Sequence, residues 1–112
     1  MANAAIARTS PRPVPMGVST GLPPELSVVV PVFNEESVLP LFHQRLLAVL
    51  SGLGLSFEVV YVDDGSADGS AMLIDRLRAS CAQVGVARLS RNFGKERAMT
   101  AGLELARGSA VL

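Results

Sequence analysis

From Leu26 onward, short runs rich in β-branched and aromatic residues alternate with helix-period segments, and this constrains the fold more than any other feature. "LSVVVPVF" is apolar almost throughout, as a strand covered on both faces must be. "ESVLPLFHQRLLAVLSGLG" follows as a helix, with Val38, Phe42, Leu46 and Leu50 recurring every four residues. His43, Gln44 and Arg45 fall off that stripe, which predicts a surface position for His43. Ser37 suits the N-cap, Pro40 is tolerated in the first turn, and Gly52 and Gly54 suit the stop. "SFEVVYVD" is a second strand. "DGSAMLIDRLRASC" is a second helix with Ile74, Leu77 and Cys81 on one face, Cys81 being read as a small buried thiol. "VGVARLS" is a third strand. "GKERAMTAGLELARG" is a third helix whose stripe of Ala98, Ala101, Gly102 and Leu105 is small enough to lie close to a sheet. "SAVL", residues 109–112, opens a fourth strand. Such alternation predicts an α/β fold built from right-handed βαβ units on a parallel sheet.

Residues 1–24 do not join this pattern. They hold most of the prolines and no acidic residue, and are read as a disordered Pro-rich tail preceding a domain at 25–112. Arg8 and Arg12 without acids resemble a transit peptide only faintly, since no amphipathic helix accompanies them. The whole chain of 112 residues suffices for one domain, and its hydrophobic fraction of 49% supplies a core. Ten basic and ten acidic residues cancel, which argues against general nucleic-acid binding. A single cysteine excludes an intramolecular disulfide and points to a cytoplasmic setting. No apolar run approaches the ~20 residues of a spanning helix, and the N-terminus lacks the apolar middle of a secretory signal.

Open parallel sheets bind ligands outside the carboxyl ends of their strands. "PVFNEE" and "DDGSADGS" therefore fall on one rim. The first lacks the glycine-rich turn of a dinucleotide fold, and no phosphate-binding P-loop is present. A phosphoacceptor receiver would carry its paired acids after the first strand, where this chain has Glu35 and Glu36. A turn and helix cap could also explain acids here, but Asp68, Gly69 and Ser70 already serve capping, so Asp63 and Asp64 read as surplus to structure.

"SVVVPVFNEE", "VVYVDDGSADGS" and "LSRNFGKERAMTAGLELARGSAVL" in this order resemble the start of a family 2 inverting glycosyltransferase, over residues 26–112. "LSRNFGKE" is similar to the branch that transfers a sugar from a nucleotide to a polyprenyl phosphate, such as dolichyl- or undecaprenyl-phosphate sugar synthases. The resemblance implies the nucleotide-binding half of a GT-A (Rossmann-like) fold, cut within its fourth strand. It implies a UDP- or GDP-hexose donor and a polyprenyl phosphate acceptor, at the cytoplasmic face of a membrane for a full-length enzyme. It also implies site residues. Pro31 and Phe33 match positions that wall the base, Glu35 an acid facing the nucleoside, and Asp64 a carboxylate accepting from a base N–H. Asp63 matches a residue holding the turn, and Gly65 one that lets the backbone approach the ligand. Arg91 and Lys95 are candidates to face the diphosphate, with a solvated helix start as their alternative.

Members of that family continue from the fourth strand into an acidic D-x-D-type motif that holds Mg²⁺ or Mn²⁺. This sequence stops near where that motif should begin, so no metal ligand, catalytic base or acceptor site is assigned to it. The chain alone is expected to be inactive, and to self-associate through an exposed sheet edge. A non-catalytic binding remnant is the alternative reading.

Overall fold

The computed structural model describes residues 6–8, 23–108 and 110–111. In chain order the elements are β1 (Ile6–Arg8), β2 (Leu26–Val32), α1 (Leu39–Ser51), β3 (Phe57–Asp63), α2 (Ser70–Ser80), β4 (Val84–Leu89), α3 (Lys95–Leu105) and β5 (Ala110–Val111). They form one sheet in the order β1-β4-β3-β2-β5. β2, β3, β4 and β5 run parallel, with Val30 opposite Tyr61 and Tyr61 opposite Val86. β1 adds antiparallel at the far edge, Ile6 opposite Leu89. Residues 6–8 thus depart from the expected structureless tail; residues 1–5 and 9–22 lie outside the described residues.

The period-2 alternation of strands sends successive side chains to opposite faces. Leu26, Val32, Val59, Tyr61, Val84 and Val86 meet α1 and α2 on one face, while Val29, Val60, Val62, Ala87 and Leu89 meet α3 on the other. This double cover explains why the strands are apolar at consecutive positions rather than alternate ones. On the second face Gly102 lets α3 lie low. A Cβ there would stand 2.2 Å from Val29 Cγ1 and 2.9 Å from Val62 Cγ2.

α1 buries only half of the expected stripe, Leu46 and Leu50 but not Val38 and Phe42. Leu39, His43 and Leu50 are buried, with Leu46 packed against them, whereas Val38 and Phe42 are exposed. His43 is therefore a core residue and not a surface one. Its Nδ1 lies 2.6 Å from the hydroxyl of Tyr61, which is itself fully buried in β3. The outer face of α1 remains apolar at Val38, Leu41, Phe42 and Val49. The helix also starts later than expected: Val38 is the N-cap with no side-chain cap bond, and the amides of Val38 and Leu39 donate to Glu35 O.

At the amino end of the sheet a buried carboxylate ties three segments together. Glu58 Oε2 accepts from Ser27 Oγ at 2.5 Å and from Arg107 N at 2.6 Å. Gly108 N donates to Ser27 Oγ at 2.7 Å, and Arg107 Nε lies 3.5 Å from Glu58 Oε1. The network leads the chain from α3 to the outer side of β2, where Ala110 and Val111 pair with Leu26 and Ser27, the neighbour expected of a fourth strand. Residues 109 and 112 of that expected strand lie outside the described residues.

Beyond Ser27 no described strand lies on that side of β2. Val32 O accepts from Asp64 N at 2.8 Å, so Val32, Val30 and Val28 turn their backbone groups to β3 and the alternate residues Val29 and Pro31 turn theirs outward. Pro31 sits where its missing amide proton costs no bond to β3.

Candidate functional site

Three loops crown the carboxyl end of the parallel strands: residues 33–38 after β2, 64–69 after β3 and 90–94 after β4. The first two are stitched by hydrogen bonds between side chains and backbone. Asn34 adopts φ 53, a left-handed conformation that asparagine tolerates better than most residues. Its Oδ1 accepts from Ala67 N at 2.8 Å and Asp68 N at 3.3 Å, and its own amide donates to Ser66 Oγ at 3.0 Å. Glu35 N donates to Ser70 Oγ at 2.8 Å, and Glu36 N to Asp68 Oδ2 at 3.2 Å. Glu36 Oε1 in turn accepts from Gly69 N at 2.9 Å, at the N-cap of α2. A carboxylate there suits both the orphan amide and the positive end of the helix. Asp68 Oδ1 accepts from Ser70 N at 2.9 Å, and hydrogen bonding from the Ser70 side chain and nearby amides holds the Asp68 carboxyl below its ordinary range.

The adjacent acids Asp63 and Asp64 avoid each other by facing opposite sides of the sheet. Both are nearly fully buried. Asp63 Oδ1 accepts from Ser66 N at 3.0 Å, closing the turn as expected. Its Oδ2 lies 3.4 Å from Arg88 Nε, and Arg88 reaches on to Asp75 Oδ1 at 3.0 Å on α2. Asp64 faces the α3 side. Its Oδ1 accepts from Phe93 N at 2.9 Å, and its Oδ2 from Gly94 N and Asn92 Nδ2, each at 3.1 Å. Asn92 Nδ2 also donates to the Asp64 carbonyl at 3.1 Å. The expectation that these acids are surplus to structure is therefore corrected: each holds a separate piece of the rim.

Gly65, at φ +74, is closely approached by backbone. The backbone that approaches it is the chain's own, since a Cβ would stand 2.3 Å from both Arg91 C and Asn92 N. Pro31 is half-buried within β2. Phe33 is 44% exposed, although aromatic side chains of this size usually find cover. Glu35, Arg91 and Lys95 are exposed as well. Among the described residues no hydrogen bond or ion pair engages the Glu35 carboxylate, the Arg91 guanidinium or the Lys95 ammonium. Arg91 lies over the Phe93 ring, 4.6 Å from its centre.

The expected site residues thus divide in two. Asp63, Asp64 and Gly65 are occupied in building the rim, while Phe33, Glu35 and Lys95 stand exposed on it and Arg91, also exposed, rests on the Phe93 ring. Glu36 and Ser70 were read from the sequence only as a turn acid and a capping residue, and Asn34, Ser66 and Asn92 were not singled out. Asn34 and Ser66 had a local signal, being turn-forming residues after a strand. Asn92 had none, because its partner lies 28 residues away.

A divalent ion does not fit these acids. No three His, Cys, Asp or Glu side chains converge among the described residues, and Asp63, Asp64 and Glu36 already hold donors of the chain itself. No described helix is long and apolar enough to cross a membrane.

Residues 27–112 match the family model described as Glycosyl transferase family 2. Over 89 residues the chain is 47% identical to an undecaprenyl-phosphate 4-deoxy-4-formamido-L-arabinose transferase of Pseudomonas paraeruginosa, covering 78% of this chain and 26% of that protein. Among solved structures, the S. aureus protein TarS (residues 1–349) in complex with UDP superposes with a TM-score of 0.63 at 30% identity, covering 79% of this chain and 26% of that one. A mannosyltransferase from Pyrobaculum calidifontis in complex with GDP-Man and Mn²⁺ gives a TM-score of 0.63 at 26% identity, covering 80% and 26%. The architecture is the α/β, GT-A type of these neighbours. The chain spans 26–29% of the length of the curated relatives it matches.

Proposed function

The chain belongs to glycosyl transferase family 2, and from that premise we propose that its rim binds a nucleoside diphosphate hexose, UDP- or GDP-linked. We propose further that the protein it serves passes the sugar to a polyprenyl phosphate at the cytoplasmic face of a membrane. One observation carries the reading. Beside Asp63 and Asp64, which build the rim, an aromatic ring and a carboxylate stand exposed on the first loop, Phe33 and Glu35. Two cations without an acidic partner among the described residues stand exposed around the third, Arg91 and Lys95. A nucleoside diphosphate needs a stacking surface, polar contacts for base and ribose, and positive charge for phosphate. Pro31 walls the base side at the end of β2, and Asp64 Oδ1, with one donor from its own chain, retains a lone pair for a base N–H. The bound UDP and GDP-Man of the two structural neighbours and the acceptor named for the Pseudomonas relative support the same reading.

In the proposed transfer an acceptor phosphate oxygen attacks the anomeric carbon as the bond to the nucleoside diphosphate breaks, inverting the configuration. The electron pair leaves on the diphosphate oxygen, towards Arg91 and Lys95. The family uses a divalent ion to stabilise such leaving groups. Its ligands are not among the described acids, so this chain contributes donor binding.

Calorimetry with UDP and GDP tests the reading. Phe33→Ala is expected to weaken nucleotide binding by roughly 5- to 150-fold, the worth of ~1–3 kcal/mol of base stacking, while leaving folding intact. Equal affinity in parent and variant removes Phe33 from the site. Binding without release of nucleoside diphosphate from the donor sugar, in a protein containing the whole domain, would favour a non-catalytic binding module instead.

A further inference from the structure

We infer that Asp64 is a positioning residue: its carboxylate fastens the Asn92–Gly94 turn to the end of β3, and so sets where Arg91 and Lys95 meet the phosphates of a bound nucleotide. The inference rests on the nucleotide-binding reading above for its ligand, and on the geometry of this chain for its mechanism.

Asp64 receives three side-chain hydrogen bonds from three consecutive residues: Asn92 Nδ2 and Gly94 N at 3.1 Å and Phe93 N at 2.9 Å. With the residue only 3% exposed, water competes poorly for them. Amide donors to a buried carboxylate are among the stronger hydrogen bonds in proteins. A second observation points the same way. Gly65, next in sequence, lacks the Cβ that would lie 2.3 Å from Arg91 C and Asn92 N, so the turn sits directly on the 64–65 backbone. The fastened turn is bracketed by the two cations, Arg91 before Asn92 and Lys95 after Gly94. Held at its amide, Phe93 packs its ring against the core under α3, and Arg91 lies over that ring at 4.6 Å. The chain of positioning therefore runs from Asp64 to Phe93 to Arg91. Neither cation has another partner among the described residues to hold it in place.

The test compares three probes, inorganic diphosphate, uridine and UDP, on the chain and on Asp64→Asn and Asn92→Ala. Positioning through the turn predicts that both variants weaken inorganic diphosphate, about tenfold for loss of bonds to a charged acceptor, and that Asp64→Asn, which also loses the proposed base contact, weakens UDP further. Asn92→Ala should leave uridine within about twofold. Amide hydrogen exchange at Phe93 and Gly94 should quicken in Asp64→Asn. If Asp64→Asn does not fold, Asn92→Ala, which keeps the carboxylate, carries the test alone. Unchanged diphosphate affinity in Asn92→Ala overturns the inference, as does an Asp64→Asn effect confined to uridine and UDP. Failure of the parent chain to bind UDP or GDP overturns the nucleotide reading and with it the phosphate half of the inference. Unchanged exchange at Phe93 and Gly94 separately overturns the anchoring half.

Discussion

His43 Nδ1 lies 2.6 Å from the Tyr61 hydroxyl, inside the core between α1 and the sheet. Burial disfavours the charged form of each partner, lowering the histidine from 6.5 and raising the tyrosine. Tyr61 thus stays protonated and His43 prefers neutrality. A histidine with its folded pKa below the unfolded value contributes stability that is full above pH 6.5 and is lost as pH falls through the folded pKa. The urea midpoint should therefore drop as pH is lowered from about 8 to about 5. His43→Phe should flatten that slope at matched protein concentration. An equal slope in parent and variant would assign the acid sensitivity to other groups.

Gly102 is expected to resist replacement by alanine. In an open helix the change would add about 1 kcal/mol of helix propensity. Here the new methyl would meet Val29 Cγ1 at 2.2 Å, between α3 and a strand paired on its other side. Overpacking of this kind costs about 1–3 kcal/mol, so the net change should be a loss of roughly 1 kcal/mol. Denaturant titration showing a more stable Gly102→Ala would mean that Val29 moves aside freely.

Glu58 holds Ser27 Oγ and Arg107 N in a buried setting. Glu58→Ala strands both donors, at about 1–3 kcal/mol for each that stays dry. Glu58→Gln keeps the shape and one acceptor oxygen and should lose less. The two denaturation midpoints, read side by side, check the ordering; equal midpoints would show that Arg107 and Ser27 find water.

Among the described residues, nothing pairs with the outer side of β2 beyond Ser27. Edges of this kind recruit other strands. The 112-residue chain is therefore expected to elute from size-exclusion columns as a species whose size rises with concentration. A monomer across the whole concentration range would show the edge to be covered.

The strand–helix alternation and the small face of α3 could be read from the sequence because both are local periodicities. The buried face of α1 could be read only in part. That helix is apolar around most of its circumference, with Val38 and Phe42 on one side and Leu39, Leu46 and Leu50 on the other. The inward face also carries the bond of His43 to Tyr61, a partner 18 positions away that no local pattern announces. The rim shows the same division. Fold class alone placed the loops at the strand ends. The partners of Asp63 and Asp64 come from Arg88 and from residues 92–94, contacts that exist only after β4 is laid down beside β3.

Pro31 adds a consequence for whatever lies along the outer flank of β2. The outward-facing positions alternate from Ser27 through Val29 to Pro31, and the last of these has a carbonyl but no N–H. A strand zipped onto this flank can receive a donor from Val29 and none from Pro31. The zipper accordingly runs out of teeth one turn of the pleat below Phe33. A foreign strand gains few rungs there and holds weakly, while a segment that does dock is let go at the height of the open rim.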